Sequence, residues 1–163
     1  MQIIIKNKDT LLCDEFKFKC CVGKKGITSN KIEGDFKTPK GSYGLGPVYY
    51  RKDRNLRPLT KLKLIAIKKD MVWCDDVASK YYNKLIKKNK KVSHENLYKK
   101  SNSYDFLIPI NYNTLRIKKN KGSAIFIHLT KNYQGTMGCI ALKKKDILIL
   151  LKIIKKDTKI KII

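Results

Sequence analysis

The sequence predicts a mainly β fold of α+β type, in which helices are few. Three observations lead there. Short β-type runs dominate the chain, and some alternate lysine with apolar residues at period two. Turn-rich, glycine-punctuated stretches separate them. One segment near the C-terminus, Asp146 to Ile154, has helical apolar spacing. At 163 residues the chain is expected to form one domain, 1–163, with a core that needs no staples.

Taken in order, Gln2 to Lys6 is apolar and β-branched and reads as the first strand. Phe16 to Val22 alternates and suits a half-buried strand. Gly23 to Thr38 is polar and turn-rich. Gly41 to Pro47 is punctuated by glycine and leads into Val48-Tyr49-Tyr50. Leu62 to Ile67, Phe106 to Ile110, Asn113 to Ile117 and Ser123 to His128 read as further strands. Residues 70–105 differ. They are lysine-rich and partly helical in pattern (Val77, Tyr81, Leu85), and they read as an inserted cap or loop region over the sheet. Lys87 to Lys91 within them reads as an exposed loop. In Asp146 to Ile154, residues Ile147, Leu150, Leu151 and Ile154 share one helical face. Lysines 143 to 145 at its start oppose the helix dipole. Thr158 to Ile163 is strand-like.

Composition narrows the function classes. No run of about 18 apolar residues exists, so no transmembrane helix is expected. Met1 to Lys6 has neither a basic leader nor a small-residue cleavage site, so no signal peptide is read there. The net charge of +25 invites a nucleic-acid reading. Of 38 basic residues only four are arginine (Arg51, Arg54, Arg57, Arg116), and arginine supplies the bidentate fork that such readers use. The lysines are spread over the whole chain. A solvated lysine coat is therefore expected, and no specific nucleic-acid partner. The five cysteines (13, 20, 21, 74, 139) form no Cys-x-x-Cys and no metal-ligand pattern. Their odd count leaves at least one thiol free, with Cys139 the candidate. Cys13, Cys20 and Cys21 read as packed, unreactive thiols.

His128 closes the apolar run Ser123-Ala124-Ile125-Phe126-Ile127, and Cys139 follows Gly138 and precedes Ile140-Ala141-Leu142. A thiol is a strong nucleophile only as thiolate, and a nearby imidazole is the usual means of making it one. If the two runs lie side by side, His128 reaches Cys139. Gly138 permits a tight turn and close approach of a substrate carbonyl. The N–H groups of Gly138 and Cys139, with Met137 as a further donor, suit an oxyanion. Thr136 is placed to hold the loop or orient His128. No acidic residue lies near His128 in sequence, so a backbone carbonyl is the available orienter. A buried, structural histidine and cysteine is the competing reading of this pair.

The string from His128 through Thr136-Met137-Gly138-Cys139-Ile140 resembles the catalytic signature of YkuD-type L,D-transpeptidases: a histidine, a variable loop, then Ser/Thr-x-Gly-Cys and an apolar residue. Gly34-Asp35-Phe36-Lys37-Thr38-Pro39-Lys40-Gly41 is similar to the family's Gly-Asp-x-x-Thr-Pro-x-Gly segment. Trp73 to Asp76, Ser93-His94-Glu95, Tyr104-Asp105 and Gly122 to Phe126 extend the likeness over nearly the whole chain, toward the compact alphaproteobacterial branch. The resemblance implies β-sandwich-like sheets with a few short helices. It implies a thioester at Cys139 formed from a peptidoglycan stem peptide, with release of a D-residue. An amine of a second stem peptide would then give a cross-link, and water a carboxypeptidase or endopeptidase outcome. It implies a periplasmic or cell-envelope location, with a cytoplasmic one standing beside it, and no metal or organic cofactor. A monomer is the expected state. A non-catalytic basic binder of cell wall or nucleic acid is the rival of another class.

Two positions depart from the family's pattern. Ala141 stands where many members have arginine, and Met137 where many have histidine or another polar residue. Candidate substrate-binding residues are Trp73, Asp75, His94 and Met137. Trp73 lines the cleft or fills the core. Asp75 and Asp76 bind a cationic amine or a metal, or cap a helix; two adjacent carboxylates without further ligands make a poor metal site. His94 contacts substrate or is satisfied within its loop.

Overall fold

A computed structural model describes residues 1–163. Strand β1 (Gln2–Lys6) is the β-branched run, and it buries Ile3 and Ile5 completely. Asn7 and Lys8 take left-handed backbone (φ 56° and 63°) and turn the chain back as β2 (Thr10–Cys13). A second tight turn at Asp14 (φ 50°) leads to β3 (Phe16–Lys19). The strand expected to reach Val22 stops at Lys19 because the chain leaves this sheet. Cys20 N–H is taken by Asp9 O, and Cys21 bridges Ala141 of another sheet. Within the turn-rich stretch, β4 (Ile27–Thr28) and β5 (Thr38–Pro39) pair in parallel. Next come β6 (Gly41–Gly44), β7 (Val48–Tyr50) and β8 (Leu64–Ala66).

Residues 70–105 carry no helix. β9 (Met71–Cys74), β10 (Leu85–Lys87) and β11 (His94–Asn96) form an antiparallel sheet in the order β10-β9-β11. The helical pattern fails because its apolar stripe is broken: Tyr81 is exposed while Tyr82 and Asn83 are buried. Asp76 caps a turn rather than a helix, accepting from Ala78 N–H at 3.0 Å.

β12 (Phe106–Pro109), β13 (Phe126–Leu129) and β14 (Ile140–Leu142) complete the central strands, followed by α1 (Lys144–Ile153) and β15 (Lys159–Ile162). The strand expected at Asn113 to Ile117 is a loop. Asn113 has φ 53°, and its side chain closes the loop on Lys118 and on Gly122 O, leaving Leu115 exposed.

Two five-stranded sheets result, β3-β2-β1-β15-β6 and β14-β13-β12-β7-β8. The main apolar core draws on both and on α1. Alternation splits β12 to β14 between two clusters. Ile108, Ile127 and Ile140 join the main core; Leu107, Phe126 and Cys139 join a smaller cluster with Trp73 and Tyr104. The latter face looks toward the site. α1 forms despite three lysines at its start and no side-chain cap. An unfavourable dipole contact costs roughly 0.3–1 kcal/mol, whereas each fully buried leucine or isoleucine contributes about 1.5–3 kcal/mol. Ile147, Leu150 and Leu151 are all completely buried, so packing wins. Leu150→Ala is therefore expected to destabilise the protein by about 2–5 kcal/mol, read as a lower midpoint in urea unfolding.

Candidate active site

β13 and β14 are parallel neighbours registered Ile127↔Ile140 and His128↔Ala141. Side chains alternate along each strand, so His128, Ala141 and, one step before β14, Cys139 fall on one face. They line a single cavity of about 290 Å³. Ala141, buried, sits directly across from His128, where a longer side chain would enter the same space.

His128 Nδ1 lies 2.9 Å from Leu129 O. A carbonyl only accepts, so Nδ1 carries the proton and Nε2 is left as the basic atom. The Tyr104 ring packs edge-on against the imidazole at 5.3 Å. Burial pulls the imidazole down to about 4, and the Leu129 carbonyl only partly offsets it. Tyr104 OH in turn donates to Glu95 Oε1 at 2.8 Å, and Lys99 Nζ pairs with the same carboxylate at 2.5 Å.

The Cys139 thiol is held by backbone. Phe126 N–H donates to Sγ at 3.3 Å, and Sγ–H donates to Ala124 O at 3.2 Å. Burial pushes the thiol up to about 12, against the opposing pull of the Phe126 N–H. No hydrogen bond joins it to the imidazole, and burial favours the neutral form of each group. Ala124 takes φ 53°, and its N–H is fixed by Asn83 Oδ1 at 3.0 Å. The buried Asn83 side chain also accepts from Trp73 Nε1 at 2.9 Å and donates to Tyr112 O and Asn113 O. Residues 70–105 thus fix the wall that the thiol leans on.

The loop before the cysteine is tied twice. Thr136 Oγ1 accepts from Gly138 N–H at 3.1 Å and donates to Cys139 O at 2.6 Å. Gly138 has φ +142°, and a Cβ there would lie 2.9 Å from Lys37 O, so only glycine fits. Thr38, fully buried, accepts from Gly23 N–H at 2.9 Å and donates to Gly138 O at 2.8 Å. The two ends of a trans peptide unit point oppositely. Thr38 therefore aims Cys139 N–H, which has no acceptor within the protein, away from itself. Gly138 N–H, by contrast, is spent on Thr136. Asp35 folds the preceding loop, accepting from Ile32 N–H, Lys37 N–H and Lys31 Nζ.

Of the other candidates, Met137 stands at the cavity wall and is exposed. Asp75 lines the same cavity and accepts from Ser93 Oγ at 2.6 Å. Trp73 does not line it; the ring is core, edge-on to Phe126 at 5.2 Å. His94 lies outside it, beside a second cavity, with Nδ1 2.8 Å from Val92 O. Sequence reasoning missed Lys99 and the roles of Glu95, Tyr104 and Asn83. Lys99 is one lysine among many, and Asn83 sits in a turn without periodic signal. No group of three or more His, Cys, Asp or Glu side chains is arranged to hold a metal ion.

Two predictions follow from this geometry. Thr38→Val keeps the shape but strands Gly23 N–H and Gly138 O in the interior, at a cost of roughly 1–3 kcal/mol, checked by denaturant unfolding. The second concerns pH. The imidazole titrates near 6.5 when unfolded and near 4 when folded, so between these values the unfolded chain binds more protons. This contribution to stability is complete above pH 6.5 and is lost as pH falls toward 4. His128→Phe removes it, so the variant's Tm should drop less than the parent's on acidification through that window, as read by calorimetry.

Residues 3–162 match the family model YkuD, described as the L,D-transpeptidase catalytic domain. No curated protein matches the chain, and no solved structure does. With the match spanning essentially the whole length, the chain belongs to the YkuD family of L,D-transpeptidase catalytic domains.

Proposed function

We propose that the protein is a cysteine-dependent L,D-transpeptidase that cross-links peptidoglycan stem peptides through a thioester at Cys139. The family acts on peptidoglycan peptides. The observation that carries the reading is the common placement of His128 and Cys139 on one face of β13 and β14, in the wall of one cavity.

His128 Nε2 takes the Sγ proton as the thiol turns from Ala124 O. The thiolate then attacks the carbonyl carbon on the L-centre side of the donor peptide bond. Cys139 N–H, which lacks an internal acceptor, takes the oxyanion. The C–N bond breaks, and the Nε2 proton goes to the departing amine of the D-residue. In the second half, Nε2 takes a proton from the acceptor amine as it attacks the thioester. The C–S bond breaks, and Sγ recovers a proton from the imidazole. Water in place of the amine gives hydrolysis. That burial favours the neutral pair suits this order, since the thiolate is formed only when a carbonyl is at hand. Thr136 and Gly138 hold the loop in the conformation the attack needs. Met137 and Asp75 border the donor's path, and the small Ala141 leaves room beside His128. No helix is long and apolar enough to cross a membrane. Action on stem peptides supports a periplasmic or cell-envelope location.

Cys139→Ala is expected to abolish both D-residue release and dimer formation from purified muropeptides. The native protein should gain one acyl adduct on Cys139 from a carbapenem, seen by intact mass. Turnover by the alanine variant, or an adduct elsewhere, would show the mechanism to be wrong.

A further inference from the structure

A second cavity, about 410 Å³ in volume, adjoins the first. The two share Glu95 and Lys99 in their linings, so they are neighbours. Its lining is polar, and it includes the strand β11 and the loop that follows.

β11 is an edge strand, pairing only with β9. Its free side can be identified residue by residue. Cys74 spends its N–H and C=O on Lys84 and Asn83, toward β10. Its cross-strand partner His94 therefore turns its own N–H and C=O away from β9. The same alternation applies to Asn96, opposite Val72. No backbone group of the protein takes these donors and acceptors. An open edge of this kind accepts an extended peptide by strand addition.

The following loop is built rather than loose. Arg51 donates to Lys99 O at 2.5 Å and stacks on Tyr98, 3.5 Å from the ring centroid. Arg54 donates to Lys100 O at 3.0 Å and to Ser101 O at 2.6 Å. Asp53 and Asp105 fix the two guanidiniums in turn. Two of the four arginines in the chain are thus committed to three successive carbonyls. This frame presents Lys99, paired to Glu95, and Lys100, which has no carboxylate partner. A cation without a partner beside an open strand edge complements a peptide that bears carboxylates.

We propose that this second cavity seats the acceptor stem peptide, with Lys100 taking one of its carboxylates and the edge of β11 at His94 and Asn96 taking its backbone. The proposal rests on the transpeptidase reading above. The shared wall at Glu95 and Lys99 then leads the acceptor's amine toward the thioester on Cys139. The donor side of the reaction stays in the first cavity.

The test is binding, which needs no turnover. A stem tripeptide with a free side-chain amine is titrated into the Cys139→Ala protein, with Kd from calorimetry and the site from amide shifts. Shifts are expected at His94 and Asn96. Lys100→Glu should raise Kd roughly five- to tenfold, and the affinity should fall with added salt. His94→Pro deletes one outward N–H and should weaken binding as well; melting of each variant reports that it is folded. Shifts confined to the first cavity, or a Kd unmoved by Lys100→Glu, would overturn the proposal. A native protein that acylates at Cys139 yet binds the tripeptide elsewhere sinks the acceptor seat alone. A protein that binds the tripeptide here yet never acylates sinks the transpeptidase reading and leaves the seat standing.

Discussion

A single buried hydroxyl, that of Thr38, sets the geometry on which the site depends. It accepts from Gly23 and donates to Gly138, so it joins the chain leaving the first sheet to the loop that carries the cysteine. Around it the structure has no slack. Gly138 must keep a backbone conformation that side chains avoid, and its carbonyl must point at Thr38. Thr136 then closes the same loop from its other side. In a dry interior such bonds are costly to leave unmade, which makes the loop nearly a rigid body. The Thr-Pro segment and the Gly-Cys segment, a hundred residues apart, are therefore parts of one local structure.

The opposite wall is set by residues 70–105. Asn83 orders Ala124, whose carbonyl holds the thiol, and Tyr104 packs on the imidazole while bonded to Glu95. The cysteine thus lies between two independent supports. One comes from the Thr38 loop and one from the three-stranded sheet. Neither puts a charge in contact with the sulfur, so burial dominates its acidity.

Much of this was legible in the sequence, and the failures have physical causes. The β-branched run at Gln2 to Lys6 became β1 at the same bounds, since three successive isoleucines favour a strand and a run of five residues is short for a helix. The apolar face of α1 was readable at Ile147, Leu150, Leu151 and Ile154. Period-two alternation at Phe16 to Val22 marked the strand but not its end, since alternation persists when a chain passes from one sheet to another. Asn113 to Ile117 misled because an asparagine side chain, invisible to hydropathy, closes that segment into a loop. The three- and four-residue strands β9 to β11 are too short for any pattern, and a chance helical spacing lay over them. At the site, the residue types and a backbone carbonyl as orienter of His128 were readable. The parallel register that puts His128 and Cys139 on one face stood there only as a condition, because hydropathy marks each run but not which residues pair across them. Lys99 was hidden by the abundance of its own kind.

The cysteines carry a last consequence. All five are free thiols, and all five are buried. Peroxide and other oxidants attack the thiolate far faster than the protonated thiol. Burial favours the protonated thiol at Cys139, which makes it a poor target for sulfenic acid formation. The other four offer oxidants no exposed partner to bridge with. No disulfide joins the fold, and no thiol stands at its surface.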